Sequence, residues 1–243
     1  MIDLSHFLPL ALAVFCGAVV SSFAGFAFSA VAGAILLHML SPTEAVPLMM
    51  ACSIIVQGAS LFCLRHTIDW RGSLPFILGG LVGIPPSLYI LFHVNAAAFR
   101  VGFGIFLALY AGYMLLRPAA CLFANSCGRL PDAAVGFTGG LVGGLTAMPG
   151  ALPTIWCSLR GLPKERQRGL VQPFITTMQV VALALLMSRH DVSLGFLHDF
   201  VISLPAIAAG AALGLFLFKR LDGAVFRRTL LGTLLVAGAA LAA

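Results

Sequence analysis

Two short stretches of this sequence combine small polar side chains with residues that interrupt a helix. They are Ser21-Ser22-Phe23-Ala24-Gly25-Phe26-Ala27-Phe28-Ser29 and Gly143-Gly144-Leu145-Thr146-Ala147-Met148-Pro149-Gly150-Ala151. A helix that restarts after a break opens with N–H groups unpaired in its own backbone and with the positive end of its dipole, which together suit an anion. Pro149 fits a helix start, because its missing N–H would have been unpaired there in any case. Ser21, Ser22, Ser29 and Thr146 cluster at the two breaks, and with Gly25, Met148, Pro149 and Gly150 they form a candidate substrate-binding set. Gln57 and Gln179 lie inside apolar runs, where an amide needs a partner. They join the set either as ligand contacts or as bonds between helices. Gly139, Gly140, Gly143 and Gly144 have two readings of their own, as part of the site or as close-packing surface between helices.

A basic run, Arg160-Gly161-Leu162-Pro163-Lys164-Glu165-Arg166-Gln167-Arg168, follows the second break. Its cations act first as a topology anchor. Arg168, nearest the apolar run that follows, is the one carried into the candidate set. No Ser-His or His-Glu pair at helical spacing falls inside the apolar runs, so neither a catalytic residue nor a metal site is expected. Nothing in the sequence calls for a cofactor. The acidic residues Asp3, Glu44, Asp69, Asp132, Glu165, Asp191, Asp199 and Asp222 fall in loops or at segment ends. Buried carboxylates are the usual proton and sodium relays, so a cation pump is disfavoured. An anion leaving an interior-negative cell gains about 2.3 kcal/mol per charge at 100 mV, a ratio of roughly fiftyfold, without any coupled ion.

The elements that must position these residues follow from composition. Of 243 residues, 60% are apolar and 9% charged, against about 45–50% and 25% in soluble domains. The expected fold is all-α and polytopic, with helices of roughly 20 residues each crossing about 30 Å of hydrocarbon. Apolar runs give ten segments, 7–23, 25–40, 45–64, 73–92, 97–116, 133–147, 149–160, 169–187, 199–218 and 224–242. The first two segments, and likewise the sixth and seventh, are short and closely spaced. Each such pair is either two thin crossings or a helical hairpin.

Counting Lys and Arg places twelve on one face: Arg65, Arg71, Arg117, Arg129, Arg160, Lys164, Arg166, Arg168, Lys219, Arg220, Arg227 and Arg228. Only Arg100 and Arg189 fall on the other. By the positive-inside rule the first face is cytoplasmic, and both termini lie outside the cytoplasm. An eight-crossing alternative divides the same charges far more evenly.

Gly17 to Gln57 can be laid over Gly139 to Gln179 at a constant shift of 122 positions (139 − 17), which also pairs Gln57 with Gln179. Two five-segment repeats with an odd number of crossings must run through the membrane in opposite senses, as in many secondary transporters. The expected organisation is a first repeat over 1–116, a charged cytoplasmic linker over 117–132 and an inverted second repeat over 133–243, with substrate bound between the two breaks.

The net charge of +6 is scattered between apolar runs, which argues against nucleic acid as a partner. The expected partners are a small anion and the bilayer, and a homo-oligomer is left open. Met1 to Pro9 hold no Lys or Arg, so the first apolar run is expected to stay in the mature chain. Cys16, Cys52, Cys63 and Cys157 sit singly in apolar runs, while Cys121 and Cys127 share the cytoplasmic linker; free thiols are expected throughout.

At these residues the chain resembles the TauE/SafE family of sulfite exporters and related anion permeases. The resemblance rests on the glycine-rich segment Gly136 to Gly144, the Met148-Pro149-Gly150 break and the Arg160-Gly161-Leu162-Pro163-Lys164 turn leading to Arg168, with a weaker counterpart around Gly25 and Pro42. It implies an inner-membrane permease for sulfite, organosulfonates or other small organic anions, with no enzymatic step. Gly25-Phe26-Ala27-Phe28 is bulkier than the family pattern, which would narrow the site or favour a ligand with an apolar part. The competing readings are a non-transporting membrane subunit or assembly factor and, further off, an intramembrane enzyme.

Overall fold

The computed structural model describes residues 4–24, 27–63, 65–116, 128–189 and 194–220, together with 231, 232, 234–236, 238, 239 and 241. Their regular structure is helical throughout, which establishes the all-α fold. In chain order the helices are α1 (Leu4–Ala24), α2 (Phe28–Met39), α3 (Pro42–Cys63), α4 (Trp70–His93), α5 (Ala96–Leu116), α6 (Arg129–Thr146), α7 (Ala151–Leu159), α8 (Lys164–Arg189) and α9 (Leu194–Arg220). Helical residues recur between 231 and 241. Five helices, α3, α4, α5, α8 and α9, are long and apolar enough to cross a membrane. Cys16, Cys52 and Cys157 are free thiols, whereas Cys121 and Cys127 lie outside the described residues.

Several helices begin before the apolar runs do. Hydropathy marks the part of a helix that sits in hydrocarbon, but the backbone ladder continues through the headgroup zone until a cap ends it. At α3, Glu44 reaches back over the helix start: Ser41 N–H donates to Glu44 Oε2 at 3.2 Å and Ser41 Oγ donates to the same oxygen at 2.7 Å. Pro42 stands at the first helical position, where proline costs nothing. Asp69 caps α4 by accepting from Gly72 N–H at 2.9 Å, and Asn95 caps α5 by accepting from Ala97 N–H at 2.8 Å.

Along α4 the outward stripe is apolar: Leu74, Leu78, Leu81, Val82 and Tyr89 are exposed, while the small residues Ser73, Gly80, Gly83 and Ser87 are buried. A soluble protein shows the reverse arrangement. Such a surface matches lipid, in which helices associate through close packing of small residues because the tails give no hydrophobic drive between them.

The chain forms two compact units. One comprises Met1–Val56, His93–Arg117 and Asp191–Ala243; the other comprises Gln57–Phe92 and Pro118–His190. Within the first, α1 packs on α9 with Gly210 against the Phe15 carbonyl and Gly214 against that of Val19, so the two helices run in the same direction. Gly17 places α1 against α2 at Phe28 and Ala32, and Gly33 gives α2 room for the Phe103 ring of α5.

Within the second unit, α4 and α6 also run in the same direction, with Gly80 facing Gly136 and Gly140, Gly83 facing Phe137 and Leu141, and Ser87 facing Gly144. Helix α8 is parallel to both. Ser73 Oγ donates to the Leu170 carbonyl at 2.6 Å, and the Phe76 and Phe174 rings meet edge to face one turn further on. The glycines of α6 divide between two faces. Gly136, Gly140 and Gly144, spaced by four, meet α4; Gly139 and Gly143 meet Pro149 and Pro153. All five therefore carry packing contacts.

Helix α7 spans nine residues, about 13 Å at 1.5 Å per residue, and cannot cross alone. It returns to the end where α6 began. Trp156 Nε1 donates to Asp132 Oδ1 at 2.7 Å, and Arg160 Nη1 donates to Asp132 Oδ1 and Oδ2 at 3.0 and 3.3 Å. The two charged side chains are 12% and 13% exposed, so each depends on the other for neutralisation. α6 and α7 thus form a hairpin closed at its base by an ion pair.

A Cβ at Gly140 would overlap the Gly80 backbone, whereas one at Gly102 on α5 would meet nothing. Gly140→Ala should cost about 1–3 kcal/mol and lower the melting midpoint in detergent, while Gly102→Ala leaves it equal or higher. Asp132→Asn strands the Arg160 charge and should cost about 3 kcal/mol; adding Arg160→Gln should recover at least half of that in the same melting assay.

Candidate functional site

Helix α6 ends because Ala147 turns into the left-handed region, at φ 55° and ψ 24°. Among the described residues no other non-glycine residue has a positive φ. That conformation costs an L-residue roughly 1–2 kcal/mol, and three bonds hold it. Ala147 N–H donates to Gly143 O at 2.8 Å, Gln179 Nε2 of α8 donates to the Ala147 carbonyl at 3.1 Å, and Thr146 Oγ1 donates to Val142 O at 2.8 Å. Thr146 Oγ1 also accepts from Met148 N–H at 3.3 Å.

A turn from Met148 to Ala151 follows, closed by Ala151 N–H donating to Met148 O at 3.4 Å. Pro149 occupies its second position, which suits a fixed φ near −65°. This differs from the expectation that Pro149 is the first helical residue: it stands two positions before α7, whose N-cap is Gly150. The regular i to i+4 pattern of α7 begins with Thr154 N–H donating to Gly150 O at 3.0 Å. Pro153 has no N–H to offer.

The break leaves backbone groups of both kinds over. The carbonyls of Val142, Gly143, Ala147 and Met148 each receive a bond, whereas those of Gly144, Leu145, Thr146 and Pro149 receive none among the described residues. Donors are left over as well. The Gly150 and Leu152 N–H groups have no acceptor among the described residues, and Gly150 offers no side-chain cap. Ala147, Met148, Pro149, Gly150 and Ala151 are all buried. A buried unpaired N–H forfeits about 1–3 kcal/mol, and the α7 dipole has its positive end at these donors.

Of the candidate residues, the fold brings Thr146, Met148, Pro149, Gly150 and Gln179 together at this break. Gln57 stands apart from it, accepting from Gln172 Nε2 at 2.7 Å in a buried amide pair. Gln172 precedes Gln179 by seven residues, about 10 Å along α8. Arg168 is half-buried in the second turn of α8, eleven residues before Gln179, or about 16 Å away along the axis. Ser21, Ser22 and Ser29 belong to the other unit, and Gly25 lies outside the described residues. Ser21 and Ser22 stand in the last turns of α1 and Ser29 in the first turn of α2.

Sequence reading passed over Gln167, whose Nε2 donates to Thr154 O at 2.9 Å and to Ser158 Oγ at 3.3 Å, binding α7 to α8. It also placed Asp132 in a linker and Arg160 among the topology charges, where the fold pairs them. Both partnerships join residues whose sequence neighbourhoods look like ordinary loops.

No curated protein and no solved structure matches the chain. A family model described as "Sulfite exporter TauE/SafE" matches residues 10–241, nearly its whole length. The glycine-rich α6, the interrupted hairpin and the lipid-facing helices are thus those of a multi-pass membrane protein that belongs to the TauE/SafE family of sulfite exporters.

Proposed function

We propose that this protein is a permease that moves a small anion, such as sulfite, an organosulfonate or a related organic anion, across the inner membrane. The carrying observation is the break between α6 and α7, where the buried Gly150 amide and the Leu152 amide stand at the positive end of the α7 dipole without acceptors among the described residues. An anion would pair these donors and meet the favourable pole of the helix.

The substrate-binding residues proposed at this break are Thr146, Met148, Pro149 and Gly150, with Gln179 holding the turn. Gln57 and Arg168 act further along α8, Gln57 through the amide pair with Gln172 and Arg168 by drawing anions toward the basic end. The parallel course of α4, α6 and α8 supports this sidedness, because it gathers Arg71, Arg129, Arg166 and Arg168 at one end of the unit, and that end is cytoplasmic. Both termini lie outside the cytoplasm. Reciprocal contacts support the inverted repeat: α4 packs on α6 in one unit and α9 on α1 in the other, each joining a segment of 1–116 to one of 133–243. The proposal includes no enzymatic step.

Flux from proteoliposomes of the purified protein tests the reading, with sulfite, sulfate, taurine, sulfoacetate and simple carboxylates, with and without an imposed potential. At least one of these should move, and faster when the potential drives it. Pro149→Ala loosens the turn and should cut flux at least about fivefold at unchanged abundance, since a misplaced binding group costs far more in function than in folding. If no anion moves and none protects the protein against heat, the reading is wrong. Equal losses of flux and abundance in Pro149→Ala would make the break structural.

A further inference from the structure

The first break carries a different unpaired donor. Ser21 is fully buried, at 0% exposure, and its Oγ has no hydrogen-bond partner among the described residues. A buried hydroxyl in that state has a bond to gain from any acceptor brought beside it.

Its direction follows from the packing of α1 on α2. A Cβ at Gly17 would lie 3.1 Å from the Phe28 carbonyl and 3.2 Å from the Ala32 Cβ, so Gly17 faces the first turns of α2. Ser21 is four residues further along α1, on the same face and one turn nearer the short connection to α2. It is therefore aimed at the N-terminal end of α2. The N-cap of α2 is Ala27, which offers no side-chain bond, and the first turn holds no acidic residue.

The counterpart in the other half sharpens the point. The shift of 122 positions places Gly139 opposite Gly17 and Gly143 opposite Ser21. At Gly143 the corresponding space is filled, because a Cβ there would lie 2.5 Å from Pro149 Cβ. In the first half Ala27 stands at the position that matches Pro149, and position 21 carries a hydroxyl where the second half has glycine.

We infer that Ser21 donates a hydrogen bond to a small oxyanion held at the N-terminal end of α2, and that it sets the affinity of the first break for sulfite-like and sulfonate-like groups. The inference rests on the permease reading above and assigns that reading a second contact, made by a side chain in place of backbone amides. The positive helix end attracts the charge, and Ser21 supplies the directed bond to an oxygen.

Melting of the full chain in detergent, titrated with sulfite and with methanesulfonate, tests it. Removing an unpartnered buried hydroxyl should raise the midpoint of unliganded Ser21→Ala, while about tenfold more anion is needed for the protection seen in the wild type. Ser21→Thr keeps the donor and should retain the wild-type response. Opposite signs for stability and ligand response are the signature, because a packing role would not move the two apart. If Ser21→Ala does not fold, Ser21→Gly, which places at 21 the residue found at 143, is read in the same way. A variant that titrates like the wild type overturns the role of Ser21 and leaves the permease reading standing. A wild type that is neither protected by any anion nor able to move one overturns both.

Discussion

A backbone amide at the depth of a bilayer has no water to turn to, and this requirement governs the whole chain. Long helices meet it by pairing every interior N–H with a carbonyl one turn back. Where a helix must stop inside the membrane, the ledger of donors and acceptors is settled locally or by a guest. At Ala147 the carbonyl is paired by Gln179 and the N–H by Gly143, while donors are left open at Gly150 and Leu152. Those donors lie at the start of α7, where the helix dipole has its positive end.

The depth of that opening depends on glycine. With no hydrophobic drive between helices in lipid, α6 is held by how closely its backbone approaches α4, along Gly136, Gly140 and Gly144, and by how closely Pro149 and Pro153 approach it at Gly143 and Gly139. A side chain on the first face would push α6 from its neighbour. One on the second would push the turn away from α6. The ion pair of Asp132 and Arg160 fastens the other end, so the hairpin is fixed at base and tip by chemically different means.

The helical, membrane-spanning character and the place of the second break were legible in the sequence, because apolar runs and the Met148-Pro149-Gly150 motif are local signals. Helix starts were less so. Arg129 and Lys164 begin α6 and α8, yet a hydropathy reading stops at such charges, although the backbone ladder passes through them. The acids were read as loop residues, while Glu44 and Asp69 cap helices and Asp132 clamps the hairpin. Gln57 and Gln179 matched by position but bond to different groups, Gln172 and the Ala147 carbonyl. Such partnerships are made across the fold, and spacing along the chain does not contain them. The two roles weighed for the α6 glycines were separated only by the neighbours they touch.

The common direction of α4, α6 and α8 also shapes the electric field of their unit. Three aligned macrodipoles add their positive poles to the arginines at one end and turn carbonyl poles toward the other. Helix α7 runs against them, so its positive pole faces inward at the break. Positive potential thus has two sources in the unit, the arginines at the rim and the buried pole of α7, and salt should screen the first much more than the second.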